Sequence, residues 1–352
     1  MVRPCATGVA LVLALVGLAV AAGTTAAVIT LNTPAPDAPV PAPRYEVDPA
    51  WPKPLPNGWI MGQAAGAAVD RRDHVWVIQR PRTRVPAPPV LELDGRGNLL
   101  QAWGGPGQGH AWPASEHGIH VDHLDHVWLA GNGPRDGQIL KLTLAGRHVL
   151  SIGAPNVVGD DTDTRRLNRP AAMVVDPRSN ELYVADGYGN HRVIVFDAAT
   201  GAYKRHWGAN GRPPGDRSVK GFGTPVHCVR LARDGLLYVC DRANNRIQVF
   251  RTDGTFVREL VVAADTRGNG STWDADLSPD GAQTFLHAAD GTNNVVWTLL
   301  RESGRLLGSF GRGGRSPGEF HWVHNLAVDS TGNIYTTEVD TGQRAQKFVP
   351  VR

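Results

Sequence analysis

Short runs of Val, Ile, Leu, Tyr and Phe alternate with turns of Gly, Asn, Asp and Pro along most of the chain, a pattern that predicts strands. Leu182-Tyr183-Val184-Ala185 and Leu237-Tyr238-Val239-Cys240 exemplify one kind of run. Arg192-Val193-Ile194-Val195-Phe196 and Arg246-Ile247-Gln248-Val249-Phe250 exemplify the next, and a third kind ends in an aromatic–glycine step, at Trp103-Gly104, Trp207-Gly208 and Phe310-Gly311. No amphipathic helical period of any length competes with them. The runs recur in a fixed order behind a short apolar segment: Ala-Ala-Val-Asp at 67–70, Ile-His-Val-Asp at 119–122, Met-Val-Val-Asp at 173–176, Val-Arg-Leu-Ala at 229–232, Ala-Asp-Leu-Ser at 275–278 and Leu-Ala-Val-Asp at 326–329. The last residues of these segments fall at 70, 122, 176, 232, 278 and 329, so the steps are 52, 54, 56, 46 and 51 residues. Six units of that period, each an antiparallel four-strand meander, predict an all-β, six-bladed β-propeller.

The sixth unit supplies Asn325 to Val328, Ile334 to Thr337 and Ala345 to Val349, and then runs out before a fourth strand. Tyr45-Glu46-Val47 is a strand left over at the other end. It is expected to complete blade six, which hides edges that would otherwise stay open. Ahead of it, the sequence divides into 1–28, a signal peptide or N-terminal anchor, and 29–43, a Pro-rich linker, with the propeller over 44–352. Arg3 is the only charge before Ala6–Leu31, Val9–Val20 is the apolar core, and Ala19-Val20-Ala21 offers a cleavage site. The uncleaved alternative is an anchor, because the run exceeds the roughly 20 residues that span a bilayer. Either reading exports the chain, to a secreted, periplasmic or outer-surface location. The prolines at 34, 36, 39, 41 and 43 favour a stiff polyproline spacer.

Charge changes the picture by exclusion. With 36 basic and 33 acidic residues and no basic tract, the surface is nearly balanced, and a nucleic-acid partner is not expected. A membrane contact is expected only through the N-terminal anchor. Cys228 and Cys240, the cysteines outside the leader, lie symmetrically about Asp234 in one hairpin. A cross-strand bridge and two free thiols both remain open.

The candidate chemistry comes from one column. Five residues before each repeat anchor stand Ala65, His117, Ala171, His227, Trp273 and His324. Histidine fills units two, four and six. First strands of propeller blades line the central channel, so these imidazoles should ring one axis, an arrangement suited to a three-histidine zinc site with an open fourth position. Arg80 at the end of the second strand of blade one, Arg242 at the equivalent place in blade four, and Tyr188 one residue beyond it in blade three should face the same mouth. Two guanidiniums and a metal favour a phenolate over a phenol and suit a small-molecule or peptide substrate that carries a carboxylate. Asp186, Asp241 and Asp290 recur in the turn column and read as backbone caps.

These residues resemble a known family. The repeats are similar to NHL repeats, and the span from about 45 to 350 resembles the catalytic core of peptidyl-α-hydroxyglycine α-amidating lyase. The resemblance covers Asp186-Gly187-Tyr188 through Arg192 with the catalytic tyrosine, His117-Gly118, Val226-His227 and Val323-His324 with the zinc ligands, and Arg80 and Arg242 as active-site arginines. It implies a zinc-dependent lyase in which zinc activates the substrate hydroxyl, Tyr188 takes its proton, and both arginines hold the carboxylate. It also implies a structural calcium on the carbonyls of Ala67 and Ile119 and on the side chain of residue 325, which is Asn325 here and brings no charge. Trp322 replaces a methionine that the family places near the substrate. Gly189, Tyr238 and Val249 stand where the family's disulfide cysteines would be.

The implied reaction is cleavage of an α-hydroxyglycine C–N bond to an amide and glyoxylate, without water. No copper monooxygenase segment that would make such a substrate is present, which leaves another carbinolamide or hydroxy acid open. Two rival classes stand beside the lyase. A non-catalytic NHL propeller that binds protein or glycan has no need of the histidine ring, and a calcium-dependent lactonase-type propeller needs several carboxylates at its hub.

Overall fold

Each of the six units forms one four-stranded antiparallel sheet, with its strands in sequence order from the axis outwards in blades one to five. The computed structural model describes residues 40–351; the expected leader and most of the linker lie outside them. Among the described residues, no helix is long and apolar enough to cross a membrane. The innermost strands are Gln63–Val69, Glu116–Val121, Ala172–Asp176, Val226–Leu231, Asp274–Leu277 and Val323–Val328. Blade six is closed as its leftover strand implies. Arg44–Asp48 pairs antiparallel with Arg344–Val351, with Tyr45 opposite Pro350 and Val47 opposite Phe348.

The core is divided into six clusters, and each lies between two neighbouring blades rather than within one. Trp76, Ile119 and Leu140 join blades one and two, whereas Tyr183, Val226 and Phe250 join blades three and four. Tyr335 and Leu91 close the ring between blades six and one. A blade alone has no core, so the stability of each depends on both neighbours. Truncating one fully buried aromatic at such a seam costs about 3–5 kcal/mol.

Polar groups fix the turns. The repeat-anchor carboxylates cap the hairpin between first and second strands and also take the donor of a buried second-strand aromatic: Trp76 Nε1 to Asp70 at 3.1 Å, Trp128 Nε1 to Asp122 at 2.8 Å, and Tyr335 Oη to Asp329 at 3.0 Å. At the far end of the second strand, Asp186 and Asp241 accept the backbone N–H of Asn168 and Gly223, each at 2.8 Å, from the incoming loop. Asp290 accepts from its own turn, from Asn293 N at 2.9 Å. The caps carry a second duty that the turn column does not reveal. Arg192, wholly buried, donates to Asp186 at 3.0 Å and to the carbonyls of Asp161, Asp163 and Arg166, which ties down the long loop between blades two and three. Arg246–Asp241 at 2.7 Å and Arg344–Glu338 at 2.6 Å repeat the arrangement. Removing one partner of such a buried pair costs about 3–5 kcal/mol.

Cys228 and Cys240 face each other across the first two strands of blade four and form a disulfide, with Cα atoms 4.8 Å apart. Of the two states left open by the sequence, the bridge is the one the fold produces. A non-reducing peptide map should yield the Cys228–Cys240 cross-linked peptide, and Cys240→Ala should lower stability by about 2–4 kcal/mol through the freed denatured chain. Two alkylated thiols at these positions in unreduced protein would contradict the pairing.

Candidate metal centre and active site

Local backbone irregularity aims the three histidines. In blade four, Val226 pairs with Asp241 and Cys228 with Cys240, so His227 is the extra residue of a bulge. His324 is skipped in the same way between Val323 and Asn325, and His117 with Gly118 between Glu116 and Ile119. A bulged residue leaves the ladder and turns its side chain, here into the channel. Gly118 is required beside His117, because a Cβ there would stand 2.5 Å from the carbonyl oxygen of Ala171.

That oxygen is one of three that orient the imidazoles. His117 Nδ1 bonds Ala171 O at 2.8 Å, His324 Nδ1 bonds Ala65 O at 2.7 Å, and His227 Nδ1 bonds Trp273 O. A carbonyl accepts only, so each Nδ1 carries the hydrogen and each Nε2 presents a lone pair to the axis. The accepting residues are the non-histidine members of the same column, each on the next blade. The rings form a nearly equilateral triangle, with centroids 5.0, 4.8 and 4.9 Å apart. All three are buried, and burial, reinforced by Arg80, pushes the His117 imidazole down to about 3. Burial likewise holds His227 and His324 far below the usual histidine range, with Arg242 adding to it at His227 and His117 at His324. Three neutral imidazoles with converging lone pairs, their ligand atoms within 4.8 Å of one another, are a donor set that fits zinc.

Tyr188 completes the ring from blade three. Its hydroxyl lies 3.0 Å from His117 Nε2 and 2.9 Å from His227 Nε2. One phenol proton cannot serve two acceptors, so this cluster has more lone pairs than hydrogens, as a cation-binding site should. Gly187 lets its loop approach blade four, since a Cβ would meet Val226 O at 2.0 Å. Arg242 Nη1 reaches the Tyr188 hydroxyl at 3.5 Å, and its guanidinium lies 4.3 Å over the Trp273 ring. Arg80 donates to Glu116 O at 3.0 Å and to Gln63 Oε1 at 2.8 Å. Neither arginine has a carboxylate partner among the described residues, and Arg242 Nε has no partner at all. Burial pushes both guanidiniums below their usual range, though an arginine stays charged. Two desolvated positive charges beside a neutral triad call for an anion.

The fold thus brings together all six residues that the sequence marks as candidates for the zinc and catalytic set. It also adds Arg169, whose guanidinium lies 5.6 Å over the Tyr188 ring and whose carbonyl accepts the Tyr188 N–H at 3.2 Å. Arg169 sits at φ 59° in a loop without strand periodicity, so no sequence register could have placed it. Trp322, also left-handed at φ 55°, stands edge-on to Trp273 at the same mouth.

The residues implied for calcium lie lower in the channel. Asn325 Oδ1 there accepts the Ala67 N–H at 2.7 Å, and the guanidinium of Arg230 lines the same cavity as Ala67 and Ile119. The implied ligand set thus gives a divalent ion no charged oxygen, and its one side-chain oxygen is already engaged.

Fold and site together define a six-bladed propeller with NHL repeats and an axial histidine triad. A model of the NHL repeat matches residues 167–196 and 226–250, in blades three and four. NHL repeat-containing protein 3 of Mus musculus is 28% identical over 330 residues, covering 88% of this chain and 85% of that protein. Peptidylglycine alpha-amidating monooxygenase of Rattus norvegicus is 26% identical over 228 residues, 58% of this chain and 22% of that protein. Peptidyl-alpha-hydroxyglycine alpha-amidating lyase 2 of Drosophila melanogaster is 23% identical, covering 66% of this chain and 53% of that protein. The chain is therefore a distant homologue of both kinds of protein.

The triad's dependence on its carbonyls gives a direct expectation. His227→Ala should reduce zinc content, measured by elemental analysis, from about one per chain to a small fraction, because two imidazoles hold the ion far more weakly than three. Gly118→Ala, which touches no ligand atom, should weaken zinc by about 10–100-fold by displacing Ala171 O. Full occupancy in both variants would contradict the site.

Proposed function

We propose that the protein is a zinc-dependent lyase that cleaves the C–N bond of an α-hydroxyglycine-type substrate to an amide and glyoxylate. The observation that carries the reading is the Tyr188 hydroxyl held between two imidazole acceptors, with the two carboxylate-free arginines around it. His117, His227 and His324 would hold zinc, which supplies a Lewis acid toward the substrate hydroxyl. Arg80 and Arg242 bind the substrate carboxylate and favour the ionised form of Tyr188. The phenolate takes the hydroxyl proton; the C=O bond forms as the C–N bond breaks; and the departing amide nitrogen receives the proton back from the phenol. The net change is one proton moved from oxygen to nitrogen, so no water is consumed. The buried Trp273 and half-buried Trp322 exclude solvent from one side of this mouth. The Cys228–Cys240 bridge suits an oxidising compartment, in keeping with an exported chain.

Likeness over most of the chain to NHL repeat-containing protein 3, a name that specifies no reaction, leaves room for a second reading, a propeller that binds a partner without turnover. Glyoxylate release from an α-hydroxyglycine-terminated peptide separates the two. Tyr188→Phe should keep zinc and fold while losing 10²- to 10⁴-fold in rate, about 3–5 kcal/mol of barrier. Arg242→Ala should also slow turnover and raise KM through the lost carboxylate contact, and at saturating substrate the double variant should turn over little more slowly than Tyr188→Phe alone, since the effect of Arg242 on kcat acts through the phenolate. A Tyr188→Phe protein as active as the wild type would remove the tyrosine from the mechanism. A zinc-loaded wild type that releases no glyoxylate would favour the second reading.

A further inference from the structure

Below the histidine triad, the channel narrows to a cavity of about 160 Å³ lined by all six innermost strands, with Ala67, Ile119, His120, Arg230, Asp276 and Val328 among its walls. Adjacent first strands in a propeller splay apart, so their backbones leave groups that side chains must satisfy. In this cavity the stitching runs from blade to blade: His120 Nε2 accepts the Val175 N–H at 3.2 Å, Asn325 Oδ1 that of Ala67 at 2.7 Å, and Asp276 Oδ2 that of Val328 at 3.0 Å. Arg230 spans furthest. From blade four, its Nε donates to Ala275 O at 2.8 Å and its Nη2 to Asp274 Oδ2 at 2.6 Å, both on blade five, and Nη2 also reaches Leu326 O at 3.2 Å on blade six. Asp274 Oδ2 in turn accepts the Leu326 N–H at 3.0 Å.

A divalent cation at a channel hub does the same work, gathering carbonyl and carboxylate oxygens from several blades around one positive charge. We infer that the Arg230 guanidinium, clamped to Asp274 and to the carbonyls of Ala275 and Leu326, is a covalently built-in cation that takes the place of a structural calcium in this propeller. Two features of the chain agree. The residue at the implied ligand position is the uncharged Asn325, whose oxygen is turned to a backbone N–H, and the Arg230 guanidinium, its side chain only 12% exposed, already engages the Asp274 carboxylate and the Ala275 and Leu326 carbonyls that a divalent ion would have to take over. Burial raises Asp274 to about 6 even with Arg230 opposing the rise, so its ionised form near neutral pH depends on that guanidinium.

The inference is tested on the full protein by thermal unfolding in buffer, after dialysis against EGTA followed by removal of the chelator and reloading with zinc alone, and in millimolar calcium chloride. The midpoint should agree across all three within about 1 °C, and elemental analysis should find no stoichiometric calcium. Arg230→Gln should lower the midpoint by roughly 5–10 °C, as expected for a broken buried pair in a chain of this size. Arg230→Gln with Asp274→Asn should recover part of that loss, because the uncompensated carboxylate is gone. One calcium per chain in the wild type, a midpoint that stays low after EGTA treatment and zinc reloading but recovers with calcium, or an Arg230→Gln protein as stable as the wild type would each overturn the inference. Should Arg230→Gln fail to fold, the chelator and elemental measurements on the wild type still decide.

Discussion

The site depends on the hydrogen bond that each histidine makes through Nδ1 to a carbonyl of the next blade. This bond fixes which nitrogen carries the hydrogen, and so it makes three independent side chains into one set of lone pairs pointing at one axis. It also divides labour around the ring, with even blades giving imidazoles and odd blades giving the oxygens of Ala65, Ala171 and Trp273. Those oxygens hold their positions because the six cores lie between blades, so packing at each seam sets the distance between a ligand and the carbonyl that orients it.

Charge is arranged against stability at one end of the channel and for it at the other. At the mouth, the half-buried Arg80 and the buried Arg242 lack a carboxylate, which costs free energy until an anion arrives. The rest of the molecule pairs its buried arginines closely, as Arg192 with Asp186, Arg246 with Asp241 and Arg230 with Asp274. The contrast is what marks the mouth as a place for a ligand. A structural arginine here has a carboxylate among its oxygen partners, and the two at the mouth do not.

Much of this was legible in the sequence because the fold is periodic. A period of about 50 residues sets blade count and register together, so a column of residues becomes a ring of side chains, and His117, His227 and His324 could be read as a set before any coordinates. Arg80, Arg242 and Tyr188 followed from the same register. What stayed hidden lies outside the period. Arg169 is in a connecting loop with a left-handed backbone, and the part that Ala171 and Trp273 play is made by main-chain oxygens, which no side-chain pattern reports. Arg230 was visible as a letter within Val-Arg-Leu-Ala, but its partners lie 44 to 96 residues away on other blades. The cysteine pair was open for a simpler reason. Symmetry about a turn gives a register only when the turn length is known.

Closure of blade six by strands from the two extremities of the propeller places His324 on the one sheet that needs both Arg44–Asp48 and Arg344–Val351. During synthesis, blades one to five can assemble as the nascent chain lengthens, yet the third ligand has no scaffold until residue 351 has emerged. Assembly of the triad is therefore a post-translational event, and the triad acts as a proofreading mark: a chain stopped early by a nonsense codon or cut by a protease near its end keeps most of its blades and loses the three-histidine geometry.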